Sequence, residues 1–300
     1  MRVVVSGSSG FLGTALCASL RHDGHDVVRL VRRRPAEPDE AQWDPVRGLV
    51  NIADLDHADA VVNLSGANVG AQRWTRYYKR LLHDSRVQTT AVLAAALARL
   101  PVQPRVFVSA SGIGFYGSDR GIDILDETAA AGGGFLAHLC REWEQAASPA
   151  TAAGITVCHA RFGAVLDRSG SAFAKMLPLF RAGLGGSLGS GAQYWSVISL
   201  HDAVRALRFM VEHAACSGPY NVTCLEPITN GEFSRRLAAM LNRPRLLPVP
   251  GLVLRVMLGQ YAQEITGSLC VLPANLTETG FTFDHPDVTS VIRFALGVGR

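Results

Sequence analysis

The first thirteen residues constrain the fold of this chain more than any other stretch. An apolar run from Arg2 stops at Ser6-Gly7-Ser8-Ser9-Gly10-Phe11-Leu12-Gly13, and Phe11, Leu12, Ala15, Leu16 and Leu20 then recur at helical spacing. A strand that turns into a helix through GxxGxxG brings two backbones close together. One glycine allows the tight turn, one lets backbone approach a pyrophosphate, and one lets helix pack on strand. Amides at the helix N-terminus lack partners and so offer an anion site. Gly7, Ser9, Gly10, Phe11, Leu12 and Gly13 are therefore the expected diphosphate cradle. A tight turn without a ligand is the alternative, and the strand–turn–helix context argues against it.

The same rhythm continues through the first half. Short β-branched runs at 27–31, 60–64, 106–109, 155–160 and 220–222 read as buried strands, and 75–100 and 135–147 carry helical periodicity. Strand–helix alternation implies right-handed crossovers and an α/β fold, a Rossmann-type doubly wound parallel sheet. After about Leu166 the rhythm loosens into a glycine-rich loop at 183–191, Trp195-Ser196-Val197-Ile198, a helix at 201–211, and turn prolines Pro244, Pro248, Pro250 and Pro273. This places a dinucleotide-binding domain at 1–165, with return segments near 197–223. A smaller C-terminal substrate lobe with an extension occupies 166–300.

Composition narrows the partners. A net charge of +4, from 29 basic and 25 acidic residues, is too small an excess to predict nucleic-acid binding. No apolar run approaches the roughly 20 residues that span a bilayer. The opening reaches turn residues too soon for a signal-peptide core, so a cytoplasmic protein without a membrane partner is expected. Cys17, Cys140, Cys158, Cys216, Cys224 and Cys270 form no CxxC pair and have no histidine at zinc-finger spacing. Free thiols in a reducing compartment are expected, and no metal site.

The second strand should end on the residue that reads the adenosine ribose. An NAD site places an Asp or Glu about 20 residues beyond the glycines. Here the strand runs into Arg32-Arg33-Arg34, and the first acid afterwards is Glu37. A guanidinium grips a 2′-phosphate in forked geometry where a carboxylate would repel it, so Arg32 and Arg33 point to NADP, with NAD as the lesser alternative. A solvated basic loop is the other explanation.

With SGSSGFLG at the start, NLSGA at 63–67, SASGIGFYG at 109–117 and ARFGAVL at 160–166, the chain resembles the extended short-chain dehydrogenase/reductase family. It more closely resembles the atypical subgroup called epimerase family proteins. The subgroup's markers here are NLSGA, Ser85-Arg86-Val87, the helix with Leu139-Cys140-Arg141-Glu142-Trp143-Glu144, and Pro227-Ile228-Thr229-Asn230 with Glu232-Phe233. The resemblance implies a small-molecule substrate and assigns Leu64, Ser65, Gly66, Ala67, Ser109, Arg161 and Phe162 to the cofactor's surroundings. By analogy it also implies a homodimer through the helices at 75–100 and 135–147.

The parent family works through a Tyr and a Lys one helical turn apart. Matching its glutamate at Glu144 puts Leu136 in place of the Tyr and Cys140 in place of the Lys. The nearby Tyr116 to Arg120 match lies in a loop, where the family has a non-catalytic Tyr. Leu136, Cys140, Trp143 and Ala147 form one continuous stripe, so Cys140 faces core or cofactor. Arg86 breaks the apolar stripe Leu82, Thr90, Leu93, Leu97, and a buried guanidinium requires acceptors. It either serves the site or pairs with an acid such as Asp126 or Glu127. Ser111, and after it Ser109, matches the serine that hydrogen-bonds substrate; a strand-end hydroxyl also caps turns. Gln193, Trp195 and Ser196 resemble the segment returning from the substrate lobe, and a packing role suits Trp195. His138, His159 and His201 have no acid or cysteine at telling distances in the sequence.

Two functions fit these residues. One is an NADP-dependent oxidoreductase or epimerase-like enzyme on a small polar, sugar-like substrate. In it Ser111 orients, Arg86 stabilises negative charge, and a proton passes through Cys140, Tyr116 or water. The other is a non-catalytic NADP-binding protein that reports redox state to a partner, for which the missing Tyr–Lys pair speaks.

Overall fold

The computed structural model describes residues 1–244 and 248–298, with Ser171 and Ala172 by backbone alone. The first half runs β1 (Arg2–Ser6), α1 (Phe11–His22), β2 (Asp26–Val31), β3 (Glu40–Asp44), β4 (Leu49–Val50), α2 (Ile52–Leu55), β5 (Ala60–Asn63), α3 (Arg76–Asp84), α4 (Val87–Leu97) and β6 (Val106–Gly112). It continues with β7 (Ile124–Leu125), α5 (Phe135–Gln145), α6 (Ser148–Ala152) and β8 (Thr156–Phe162). Then follow β9 (Ala164–Leu166), α7 (Ser171–Arg181), β10 (Tyr194–Trp195), β11 (Val197–Ser199), α8 (Leu200–Glu212) and β12 (Gly218–Val222). The remainder is β13 (Ile228–Thr229), α9 (Asn230–Met240), α10 (Gly251–Leu258), α11 (Ala262–Thr266), β14 (Cys270–Val271), α12 (Ala274–Glu278) and α13 (Val288–Leu296).

Eight strands form one sheet in the order β12-β8-β6-β5-β1-β2-β3-β4, parallel except for the terminal β3–β4 pair. This is the expected Rossmann-type α/β sheet. Val3 and Val5 of β1 pack among Leu16, Leu20, Leu207 and Met210 on one face, and Val4 packs with Leu93, Leu97 and Phe107 on the other. Burial on both faces explains why β1 reads as an unbroken valine run rather than an alternation. The chain leaves β1 toward β2 on one side and returns at β5 on the other. Strand order reverses there, and the crevice at the carboxyl ends is where such sheets bind ligands.

A separate core, built on Phe173, Phe233, Val291 and Ile292, lies under the later helices. Three two-stranded pairs, β9–β11, β10–β13 and β7–β14, knit that half to the loops of the main sheet. Among the described residues no helix is long and apolar enough to cross a membrane.

The helical stretch at 75–100 is two helices, α3 and α4, interrupted at Ser85 and Arg86. Ser85 Oγ accepts from Ala67 N at 3.0 Å, and the Arg86 guanidinium turns back to Leu82 O at 3.1 Å. Side-chain bonding to neighbouring backbone replaces the regular ladder, which the apolar periodicity did not reveal. The last two strands of the sheet, β3 and β4, were not expected either; Glu40-Ala41-Gln42-Trp43-Asp44 lacks the β-branched signature of the central strands.

Candidate functional site

The cradle is set by two backbone approaches. Gly7 has φ +69°, and a Cβ there would lie 2.5 Å from Leu64 O. A Cβ on Gly13 would lie 2.2 Å from Gly7 O, so only hydrogen fits between helix and turn. Gly10 N donates to Gly7 O at 3.0 Å, and Gly10 caps α1 without a side-chain bond or an acidic residue in the first turn. The amides at the start of α1 are thus left to an external acceptor, with Ser9 and Gly10 exposed. Phe11 packs beneath Gly170, where a Cβ would meet its ring at 2.5 Å.

Asn63, which opens the NLSGA motif but received no role from the sequence, holds this turn in place. It is fully buried at the end of β5. Its Oδ1 accepts from Ser6 Oγ at 2.6 Å and Ser65 N at 3.1 Å, and its Nδ2 donates to Thr90 Oγ1 at 2.7 Å. Thr90 Oγ1 also accepts from Trp143 Nε1 at 2.9 Å, and Ser65 Oγ donates to Ser6 Oγ at 3.1 Å. One amide therefore ties β1, β5, α4 and α5 together beside Leu64, Ser65, Gly66 and Ala67. A polar side chain ending an otherwise apolar run was the available signal. Asn63→Leu is expected to cost about 2–4 kcal/mol in a denaturant melt, because Ser6, Ser65 and Thr90 lose their partner in a dry site.

The three arginines after β2 separate. Arg33 is clamped by Glu40, with Nη1 and Nη2 at 2.7 and 2.6 Å from its carboxylate oxygens. Glu40 also accepts from Ala36 N at 2.8 Å, and these bonds hold its carboxyl down at about 2. Arg29 is held by Asp39 at 2.7 Å. Arg32 is exposed, and no described carboxylate pairs with it.

Behind the strand ends lies a second polar system. Ser111 Oγ donates to Glu144 Oε1 at 2.7 Å. Arg161 engages both Glu144 oxygens at 2.8 Å, through Nε and Nη2, and its Nη1 donates to Tyr116 OH at 3.0 Å. Tyr116, fully buried, donates to Asn221 Oδ1 at 2.8 Å, and Asn221 N donates to Glu127 Oε1 at 2.7 Å. Burial pushes the Tyr116 hydroxyl and the Glu127 carboxyl above their ordinary values. Phe115 lies flat against Arg161, its ring centroid 3.5 Å from the guanidinium carbon. The structure thus joins Ser111, Tyr116 and Arg161 through Glu144. Ser109 is fully buried one turn of the pleat away, and Phe162 packs on the main core.

Arg86 takes carbonyls rather than a carboxylate. Nη1 donates to Leu82 O and Nη2 to Ala67 O at 2.8 Å, while the guanidinium sits 5.1 Å from the Trp143 ring centroid. Desolvation lowers it to about 10. The expected alternative partners are thereby corrected: Glu127 serves the backbone of β12, and Asp126 holds Thr128. Gly66 covers Arg86 so closely that a Cβ would fall 3.1 Å from its Cζ. Cys140 is buried under Gly112, and burial, then the Glu144 charge, pushes its thiol up to about 11. It is protonated at neutral pH.

Other candidates settle outside this constellation. Trp195 donates Nε1 to Ile265 O at 3.3 Å and packs on Phe233, a structural anchor. Gln193 Nε2 donates to Leu188 O at 2.8 Å. His201 does have an acid partner, Asp284 at 2.7 Å, brought in from 83 residues away and invisible to sequence spacing. With Asp202 these two place ligand-type atoms within 4.8 Å of one another. Arg205 stands among them, 3.1 Å from Asp202 and 3.3 Å from Asp284, and supplies the positive charge itself.

Comparison with known proteins places this arrangement. The NAD dependent epimerase/dehydratase family matches residues 3–223, and a domain of unknown function, DUF1731, matches 249–295. An epimerase family protein of Mycobacterium leprae is 43% identical over 98% of this chain and 95% of its own length. Epimerase family protein YfhF of Bacillus subtilis is 31% identical over 96% of this chain and 95% of its own. Among solved structures, human epimerase family protein SDR39U1 with NADPH is 30% identical. It covers 99% of this chain and 100% of its own, with a TM-score of 0.89.

Proposed function

The chain belongs to the NAD dependent epimerase/dehydratase family, and from that premise we propose that it binds NADP(H) and performs hydride chemistry on a small polar substrate. The observation that carries the proposal is the cradle. Hydrogen-only spaces at Gly7 and Gly13 bring backbone up to a group beside α1, whose first-turn amides have no internal acceptor. The relative solved with NADPH supports the same cofactor here.

Gly7, Gly10 and Gly13 would hold the diphosphate, with Leu64 to Ala67 along its flank. Arg32 would take the 2′-phosphate, since Arg33 is already committed to Glu40. When bound, the nicotinamide supplies the hydride donor or acceptor. Ser111 spends its O–H in a hydrogen bond to the Glu144 carboxylate, so its oxygen lone pairs remain for a substrate hydroxyl. Arg161 holds that carboxylate by both oxygens and thereby fixes the Ser111 rotamer. The desolvated Arg86 guanidinium stabilises negative charge that develops on substrate oxygen. Cys140, a thiol at neutral pH, passes a proton only as part of a relay.

Calorimetry with NADPH and NADH on the wild-type and Arg32→Ala proteins tests the cofactor assignment. Losing a charge-assisted phosphate contact is expected to weaken NADPH about 10- to 100-fold. NADH binding should change little. Equal losses for both nucleotides, or no uptake of either by the wild type, would overturn it.

A binder without turnover is the second reading, and one observation favours it: Leu136 and Cys140 stand where the family's acid–base pair would be. It expects NADPH to bind more tightly than NADP+, with no stereospecific hydride transfer to any carbonyl or sugar offered. Deuterium transfer from labelled NADPH to a carbonyl substrate decides between the two.

A further inference from the structure

The C-terminal segment closes over the carboxyl edge of the sheet. Tyr261 lies 5.3 Å from the Trp74 ring and against Gly70, where a Cβ would meet its ring at 3.1 Å. It joins the apolar cluster that also contains Ala67 and Leu136. Farther on, Ile265 O accepts from Trp195, Ser268 O accepts from Arg120 N at 2.8 Å, and β14 pairs with β7. Residues 261–271 therefore touch the loops leaving β5 and β6 and the stretch leading into β11, over the edge where such sheets take ligands.

Charge on this face is one-sided. Residues 73–80 carry Arg73, Arg76, Lys79 and Arg80 with no acid, while Glu264 is the sole carboxylate side chain between 248 and 266. The Lys79 ammonium lies 4.9 Å from the Phe135 ring centroid and 5.9 Å from that of Trp74. No described carboxylate comes within ion-pair distance of it. Glu264, half-buried one turn beyond Tyr261, has no hydrogen-bond partner among the described residues, and Lys79 is the charge acting on it.

We propose that Lys79 and Glu264, walled by Trp74, Phe135 and Tyr261, form an anion subsite for the substrate's carboxylate or tetrahedral oxyanion, opened when Glu264 takes up a proton. This rests on the reading of the sheet edge as the substrate cleft. An ionised Glu264 offsets part of the Lys79 field through space and repels an incoming anion. A neutral one leaves the ammonium free and adds a hydroxyl donor. Burial pushes the Glu264 carboxyl up to about 7 against the pull of Lys79. Binding should therefore be strong below that pH and weaken above it.

Tyr261, Lys175, Arg73 and Arg255 are the other titratable or charged groups on the neighbouring segments. Tyr261 is pushed further up by burial. Lys175 and Arg73 donate to Gly70 O at 3.4 Å and Met257 O at 3.2 Å, and Arg255 on α10 is exposed. Aromatic walls favour a probe with a flat apolar body.

Benzoate and benzenesulfonate, both anionic throughout, are the probes, titrated by calorimetry into cofactor-free and NADPH-loaded protein at roughly pH 6 and pH 8. Wild-type affinity should fall about tenfold over that interval, following the protonated fraction of one carboxyl. Glu264→Gln should keep the tighter affinity at both pH values. Lys79→Met should lose the anion at both while binding NADPH normally. A preference for benzoate identifies a carboxylate substrate, and a preference for the sulfonate a phosphate-like one.

No anion binding at the lower pH, or equal affinity at both, overturns the subsite. So does a carbon-13 carboxyl titration of Glu264 with a midpoint below about 5 in cofactor-free protein. Proton-linked benzoate uptake by a protein that ignores NADPH would instead keep the subsite and sink the cofactor assignment.

Discussion

Gly13→Ala is expected to abolish NADPH binding, with at least a 100-fold loss by calorimetry, and to lower stability by about 2–3 kcal/mol. The added methyl would stand 2.2 Å from Gly7 O and 2.7 Å from Ser8 Cα, both backbone atoms that no rotamer change can move aside. Relief requires α1 to back away from β1, and that movement withdraws the amides meant for the diphosphate. Gly7→Ala should behave alike for an added reason: its φ of +69° costs a side chain about 1–2 kcal/mol even before the 2.5 Å contact with Leu64 O. Gly24→Ala is the control. It also has positive φ but meets nothing within 4 Å, so it should lose stability by a similar conformational cost and keep the cofactor. Unaltered NADPH affinity in Gly13→Ala would show that the turn is not the binding site.

The second large effect is expected at Arg161. Arg161→Met strands the Glu144 carboxylate, whose side chain is only 12% exposed, beside the 5% exposed site of its lost partner. Leaving one member of such a pair costs about 3–5 kcal/mol, seen as a lowered midpoint in urea unfolding. Because Glu144 also accepts the Ser111 hydrogen bond, its reorientation should disturb Ser111 and so any turnover. The companion Arg161→Met, Glu144→Leu protein removes both charges and should recover much of the stability while leaving Ser111 without its orienting acceptor. Stability that returns without activity separates the packing role of the pair from its positioning role. Loss of activity no greater in the double variant than a Ser111-independent reaction allows would argue that Ser111 does not face substrate.

Much of the scaffold was readable from local pattern. The valines of β1, the glycines after it and the apolar helix beyond them specify a crossover whichever way the remaining chain runs, because each signal concerns residues within one or two turns of each other. The same holds for Arg32 and Arg33 as a pair at the end of β2. What divides them is Glu40, on the short strand β3 with no recognisable signature, and only its pairing with β2 shows which guanidinium is spoken for.

The site behind Ser111 was harder to read. Leu82, Arg86 and Thr90 looked like one helical face, yet the ladder breaks at Ser85, and Arg86 finds carbonyls rather than an acid. Asn63 and Glu144 carry most of the polar connections, but apart from Ser65 their partners lie 17 to 57 residues away. The His201–Asp284 contact shows the same limitation.

By itself the sequence determined the parallel sheet, the glycine turn between β1 and α1, the run of arginines after β2 and the absence of a Tyr–Lys pair in α5. Each follows from steric or periodic rules that act between near neighbours in the chain. The tertiary structure alone decided which charges are paired, which remain free, and that the C-terminal segment lays the turn carrying Tyr261 and Glu264 against Trp74 and Gly70. Electrostatics and desolvation depend on distances through space, and those are set only when the sheet order folds remote segments onto one edge.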